Sequence, residues 1–111
     1  MKIYNELETL GFFEWLSETH NLRDTDMTPE NLDKLPLNDI HRTVCNSMAF
    51  RWFREKHRLA SWVYNSHLNV FFYTILKNGR FIKGHDKFDT YEEAELACII
   101  KLIDIFKSKK D

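Results

Sequence analysis

The side chains best suited to metal binding or nucleophilic attack in this 111-residue chain are five histidines and two cysteines. Zinc sites draw their ligands from His and Cys a few positions apart on one element, but no two histidines and no two cysteines have that spacing. No serine lies in a glycine elbow, and no glycine-rich loop could cradle a phosphate. The dipeptides His85-Asp86 and Glu55-Lys56 could belong to an acid-base site, but such pairs arise by chance. We therefore expect a non-enzymatic protein without a metal or cofactor.

The densest cluster of like charge is basic. Arg51, Arg54 and Arg58 are three and four residues apart, so they share one helical face, with Lys56 and His57 beside them. One interpretation is that these cations offset the dipole at the C-terminus of their own helix. The other is a contact for phosphates or for an acidic protein surface, reinforced if the later basic residues lie on the same side. Those residues are Lys77, Arg80, Lys83 and Lys87.

The net charge of −1 conceals an uneven distribution along the chain. Residues 1–50 hold four Lys/Arg against nine Asp/Glu, residues 51–87 hold eight against two, and the last 24 residues are acidic again. A positive middle between acidic ends is the feature that bears most on the choice of partner.

The composition predicts one ordered domain over residues 1–111. Hydrophobic residues make up 43% and charged residues 30%, with three glycines and two prolines, which is unlike a disordered chain. The first residues lack the apolar core of a signal peptide, and no uncharged stretch could cross a bilayer, so we expect a cytoplasmic protein with no membrane contact. Cys45 and Cys98 have apolar helical neighbours, which favours two reduced core thiols, with a disulfide as the alternative.

Helices are predicted near both ends of the chain. Apolar spacing favours a short helix over residues 2–10, and a threonine cap followed by proline favours one or two turns over residues 29–34. The last helix begins after Asp89-Thr90, where capping-box spacing occurs. Residues 12–27 are compatible with a helix or with an extended chain.

A longer helix follows Asn38-Asp39 and should bury two adjacent apolar rows. The first row is Ile40, Val44, Met48 and Trp52, and the second is Cys45, Ala49 and Phe53.

From Leu59 the hydrophobic period becomes two, which predicts two antiparallel strands through Leu76. Asn78-Gly79 is a type I′ turn signal, and it adds a third strand from Arg80 to Lys83. A β-meander between helices results, which is an α+β fold in the order ααα-βββ-α.

A first turn over residues 65–68 would pair Trp62 with Phe71 and Val63 with Val70. Both faces of the sheet would then be apolar. One would carry Trp62, Tyr64, Phe71, Tyr73, Ile75 and Ile82, and the other would carry Val63, Val70, Phe72, Leu76 and Phe81.

An antiparallel sheet normally shows water one polar face, so two apolar faces need explaining. The N-terminal segment could cover the second face, a protein or a second copy of the chain could cover it, or nucleic-acid bases could stack on its rings. Whether the partner is a protein or a nucleic acid, we expect the contact to combine aromatic side chains of the sheet with the basic residues of the middle segment. Those basic residues are Arg51, Arg54, Lys56, Arg58, Lys77, Arg80, Lys83 and Lys87. The aromatic side chains are Trp62, Tyr64, Phe71 and Tyr73.

A helix, three strands and a final helix also occur in double-stranded-RNA-binding domains, whose last helix presents lysines at its start. The last helix of this chain starts instead with four carboxylates. They belong to Asp89, Glu92, Glu93 and Glu95. Because they would repel a duplex backbone, that docking mode is disfavoured.

Two segments carry a resemblance to a group of small proteins encoded in bacterial prophages. Residues 49–57 read AFRWFREKH, similar to the W-[FL]-R-E-K-H helix end of that group, and residues 88–97 read FDTYEEAELA, similar to its TYEEAELA helix. The resemblance spans residues 38–107, and it brings no catalytic residues.

The resemblance implies a protein that binds a host protein or ribonucleoprotein. Its sharpest form is an anti-CRISPR-type inhibitor that occupies a host defence nuclease or its guide RNA. The alternatives are an RNA- or DNA-binding regulator and a homodimeric accessory protein.

Overall fold

The structure, a computed structural model, describes residues 2–20, 28–66, 69–83 and 86–108. Within these ranges the α+β fold is confirmed, with N-terminal helices, a three-stranded antiparallel meander and a long C-terminal helix. The elements are α1 (Ile3–Thr9), α2 (Phe12–His20), α3 (Pro29–Lys34), α4 (Ile40–His57), β1 (Leu59–Asn65), β2 (Phe71–Lys77), β3 (Arg80–Lys83) and α5 (Tyr91–Ser108). Helix α2 is one more than the predicted order contains, and it lies in the segment whose pattern was undecided; residues 21–27 lie outside the described ranges.

The start and end of α1 are set by two different residues. Gly11 has a φ of +99°, the left-handed region in which only glycine is unstrained, and it separates α1 from α2. At the other end Lys2 offers no side-chain cap. The carboxylate of Asp33 in α3 instead accepts the amides of Tyr4 and Asn5 at 3.1 and 3.3 Å. Helix α3 thereby fixes where α1 begins.

The later helices carry their own caps. Thr28 and Asp39 each accept an amide from the first turn of α3 and α4. The predicted cap of α5 is confirmed, since Thr90 Oγ1 accepts the amide of Glu93 at 3.2 Å. The Glu93 carboxylate accepts from the Thr90 hydroxyl, at 3.0 Å, and not from the Thr90 amide as in a full capping box. Helix α4 ends where Arg58 turns into the left-handed region, at φ 56° and ψ 35°.

Of the two apolar rows predicted for α4, the second is confirmed, since Cys45, Ala49 and Phe53 are all buried, and the first is wrong in its first half. Ile40 and Val44 are 71% and 51% exposed. Besides Cys45, the inward positions of the first half are occupied by polar side chains.

Those polar side chains, Arg42 and Asn46, belong to a buried network that joins three helices. The Tyr4 hydroxyl donates to Asn46 Oδ1, and Asn46 Nδ2 donates to Glu95 Oε1 at 2.8 Å. The Arg42 guanidinium lies 5.1 Å from the centroid of the Tyr4 ring and donates to the carbonyl of Leu35 at 2.9 Å. These partners offset the cost of burying polar groups, which explains why the apolar pattern failed here.

The core lies between α5 and one face of the sheet and continues among the helices. Helix α5 packs on β1 and β2, α4 packs on β1 and α5, and α1 and α2 pack on α5 and α4 respectively. Leu59 and Ile75 from the sheet are fully buried. Both predicted core thiols are confirmed as buried and free, and burial raises the pKa of Cys45 to about 11 and that of Cys98 to about 12.

The predicted register of the first hairpin is wrong. Trp62 pairs with Thr74 rather than with Phe71, and Val63 pairs with Tyr73 rather than with Val70. The shift is three residues, and because successive side chains of a strand alternate between faces, an odd shift exchanges the faces of one strand relative to the other.

The connection between β1 and β2 explains the shift. The Ser66 amide donates to the carbonyl of Val70 at 2.9 Å, and Asn69 has a positive φ of 58°. The loop therefore closes at residues 66–70, later than the predicted turn over residues 65–68; residues 67 and 68 lie outside the described ranges. The second hairpin has the predicted pairing of Ile75 with Ile82.

Candidate macromolecule-binding surface

The observed register gives the sheet two unlike faces. The covered face, against α5, carries Leu59, Ser61, Val63, Phe71, Tyr73, Ile75 and Ile82. The open face carries Ala60, Trp62, Tyr64, Phe72, Thr74, Leu76 and Phe81. The predicted grouping of Trp62 and Tyr64 with Phe71 and Tyr73 is therefore wrong, because Phe71 and Tyr73 belong to the covered face.

The open face exposes large aromatic side chains. Trp62, Tyr64 and Phe81 are 45%, 42% and 59% exposed, whereas Ile75 on the covered face is fully buried. The described N-terminal helices pack on α4, on α5 and on one another. Residues 2–20 and α3 therefore do not cover the open face, which is the covering expected of the N-terminal segment.

The rings of the open face support one another across the strands. Trp62 and Phe81 meet edge to face, with centroids 6.2 Å apart and planes at 87°, and Tyr64 stacks on Phe72 at 5.7 Å and 23°. Thr74 lies opposite Trp62 in register and is only 6% exposed. Cross-strand ring contacts of this kind stabilise a sheet directly. The open face is therefore an ordered aromatic platform that holds its shape with no helix packed on it among the described elements.

At the hairpin end of the open face is a cavity, here called the arginine pocket, of about 350 Å³. Arg54 and Arg58 extend to it from the end of α4, and the sheet and the β2–β3 turn complete it. Its lining residues are Arg54, Arg58, Ala60, Leu76, Asn78 and Gly79. Neither arginine forms an ion pair with the described part of the chain, so both guanidinium groups can meet an external anion.

The other basic residues of α4 are placed differently. The Arg51 guanidinium pairs with the Glu55 carboxylate one turn later, at 2.5 Å. Lys56 lines a second, shallower cavity of about 360 Å³, together with Glu14 and Glu18 of α2. The predicted cluster on one helical face therefore divides, and only Arg54 and Arg58 reach the sheet.

The basic residues after β1 are also dispersed. Lys77 and Arg80 have the register of the covered face. Lys83 ends β3 opposite Thr74, but its side chain lies outside what the structure describes. Lys87 is exposed and precedes Phe88, which makes an isolated bridge to Phe71.

The chemistry available on the open face and in the arginine pocket is apolar and cationic. None of the residues that form them is Asp or Glu. Within the described ranges there is no group of three or more His, Cys, Asp or Glu side chains that could hold a metal ion. Of the two acid-base dipeptides, Glu55 is paired with Arg51, and His85 lies outside the described residues. Such a surface can stack on flat rings and bind anions.

Sequence reasoning missed part of this surface. Phe72, Leu76 and Phe81 were assigned to the face opposite Trp62, and the turn residues Asn78 and Gly79 were not considered as pocket walls. The signal that could have corrected the register is Asn69, because asparagine tolerates positive φ and often closes a loop.

No family model, curated protein or solved structure matches this chain. None of the described helices is long and apolar enough to cross a bilayer.

Proposed function

We propose that this chain is a non-enzymatic binding protein that attaches to another macromolecule through the open face. The observation that carries the proposal is the contrast between the two sides of one sheet, in which Ile75 is fully buried while Trp62, Tyr64 and Phe81 remain exposed. Apolar area left in water forgoes roughly 25 cal/mol per Å² of stabilisation. Clustered apolar area of this kind marks interaction sites in proteins.

The mode of binding that we propose is occupation of a host ribonucleoprotein in the host cytosol. Its target would be a defence nuclease or the guide RNA of that nuclease, as for an anti-CRISPR-type inhibitor. The support is the resemblance of residues 38–107 to prophage-encoded proteins, together with the character of the open face. Inhibition by occupation needs an ordered surface and no reactive group, and the rings of the open face are already held against one another.

Affinity capture with matched variants tests the proposal. The tagged protein, a Trp62→Ser/Phe81→Ser variant and an Ile40→Ser/Val44→Ser control would each be incubated with bacterial lysate, and the retained molecules identified. The control removes two exposed apolar side chains from α4, away from the sheet. We expect a nuclease, its guide RNA or both to be retained by the protein and the control and lost by the open-face variant.

Equal retention by all three forms would contradict the proposal. Treatment with RNase separates its two targets, since a nuclease retained after RNase is bound directly and one released with the RNA is not. Light scattering at several concentrations tests the competing occupant. A dimer abolished by the open-face substitutions would mean that a second copy of the chain covers this face.

A further inference from the structure

We infer that the open face and the arginine pocket together bind single-stranded nucleic acid, with bases stacked on the exposed rings and two backbone phosphates at the pocket, one for each arginine. This inference rests on the proposed function and identifies the chemical class of the molecule that the open face contacts. It follows from the order of rings and charges along the strands.

The side chains of β1 that face outward are evenly spaced along the open face. Tyr64, Trp62 and Ala60 point to the open face at intervals of two residues, about 7 Å each on strand geometry. Such a step suits successive nucleotides of an extended single strand. Aromatic side chains at this spacing form a track on which bases can stack, and stacking is tolerant of sequence because every base has a π face.

The cations lie at one end of the open face. The track runs from Tyr64 through Trp62 to Ala60, which is itself a wall of the arginine pocket. Arg54 and Arg58 stand at that end, and a guanidinium group binds phosphate oxygens in a bidentate manner. A strand that stacks on the rings therefore brings its backbone to two arginines.

Arg58 has an unusual backbone conformation for an arginine. Its backbone is in the left-handed region, which a glycine or asparagine adopts at lower cost. The stabilisation that a cation at the end of α4 gains from the helix dipole is smaller than the cost of an L-residue in the left-handed region. Strained positions cluster at functional sites, and Arg58 is one of the residues that line the arginine pocket.

The charges around the open face favour a nucleic acid over a protein as its partner. A face that binds a protein would be expected to have charged residues of both signs around its edge. The open face and the arginine pocket contain arginines and no carboxylate. The acidic residues of α2 and of the first turn of α5 belong to elements on the helical side of the sheet. A polyanion can therefore lie along the open face without facing a like charge there.

The fluorescence of Trp62 provides a direct assay, because Trp15 and Trp52 are buried and Trp62 is the exposed indole of the three. The protein would be titrated with oligouridylate and oligodeoxythymidylate of about a dozen nucleotides, a length within the range of common single-strand sites. A duplex of equal length and inorganic polyphosphate serve as charge-only probes. We expect single strands to quench Trp62, and polyphosphate to bind more weakly without quenching.

Salt dependence then counts the phosphates. Two arginines predict a slope of log K against log salt of about −1.4, from roughly −0.7 per phosphate for single strands. Arg54→Ala and Arg58→Gly should each reduce the slope by about 0.7, and the control Lys34→Ala on α3 should leave it unchanged. Trp62→Ser, followed by anisotropy of a labelled oligonucleotide, should lower affinity about fivefold or more.

Three results would overturn the inference: no quenching by either oligonucleotide, binding to polyphosphate as tight as to single strands, or a slope unaffected by both arginine variants. If oligonucleotides do not bind but the open-face variant still loses an RNase-resistant nuclease, the proposed function stands and this inference fails. If the open-face variant also retains every partner of the unmodified protein, both fail together.

Discussion

Replacing Arg58 by glycine should raise the stability of the fold and at the same time weaken binding at the arginine pocket. An L-residue in the left-handed region costs about 1–2 kcal/mol, and Arg58 occupies that region with a φ of 56°. Glycine removes this cost, but it loses about 0.5–1 kcal/mol more backbone entropy on folding. Loss of a cation at the end of α4 costs about 0.3 kcal/mol more. The net expectation is a gain of about 0.5 kcal/mol, since the first contribution is the largest.

Arg54→Gly is the matched control for this substitution. It removes the same side chain from the same pocket, but Arg54 lies inside α4, where glycine costs about 1 kcal/mol relative to a good helix former. The two variants should therefore differ by about 1.5 kcal/mol in the free energy of unfolding. In urea, with a slope of about 1.5 kcal/mol per M, this separates their midpoints by roughly 1 M.

The measurement is urea unfolding followed by far-ultraviolet circular dichroism, with oligonucleotide affinity determined on the same preparations. Both variants should bind more weakly than the unmodified protein, although their stabilities move in opposite directions. If Arg58→Gly is no more stable than Arg54→Gly, the reasoning from backbone strain is refuted. If Arg58→Gly is more stable and binds as before, the side chain has no part in the pocket.

Further predictions concern the two faces of the sheet and the buried ionisable groups. Phe81→Thr on the open face should cost at most about 1 kcal/mol, the size of its cross-strand contact with Trp62, whereas Ile75→Ala on the covered face should cost about 2–5 kcal/mol by chemical denaturation. Equal losses would contradict an uncovered face. Burial raises the pKa of Glu95 in the folded state, so the native protein loses stability as pH rises through that pKa. Glu95→Gln should therefore be more stable than the native protein at pH 7, by a margin that shrinks towards pH 4. A margin that grew on acidification would show that the pKa of Glu95 is lowered and not raised. The two buried thiols, whose pKa values are raised to about 11 and 12, should resist alkylation at pH 8 until urea unfolds the chain, as mass spectrometry would show; rapid labelling of the folded protein would disprove their burial.

The local signals of the sequence were sufficient for most elements. Thr90 with Glu93, and Asn78 with Gly79, determine backbone geometry through hydrogen bonds and φ values within a few residues. Such rules do not depend on the rest of the fold, so the start of α5 and the second hairpin could be predicted without it.

The features that failed depend on distant partners. Asn46 is turned inward because Tyr4 and Glu95 meet it there, from positions 42 and 49 residues away in the chain. No periodicity within α4 contains that information. The register of the first hairpin failed for a related reason, since both alternating sets of β2 are apolar and hydrophobic pattern alone cannot select between them.

The same ambiguity bears on function. In a sheet with one polar face, the need to bury the apolar face determines the register. Strand β2 carries apolar residues on both sides. The register therefore has to be selected by the loop at Asn69 and by the packing against α5. A chain under selection for stability alone would resolve the ambiguity with a polar outer face. Here the outer positions hold Trp62 and Phe81, exposed and placed beside two arginines that have no acidic partner within the described ranges. Departures from local design rules are expected where a surface is shaped for a ligand, and rings next to unpaired guanidinium groups match the bases and phosphates of a single strand.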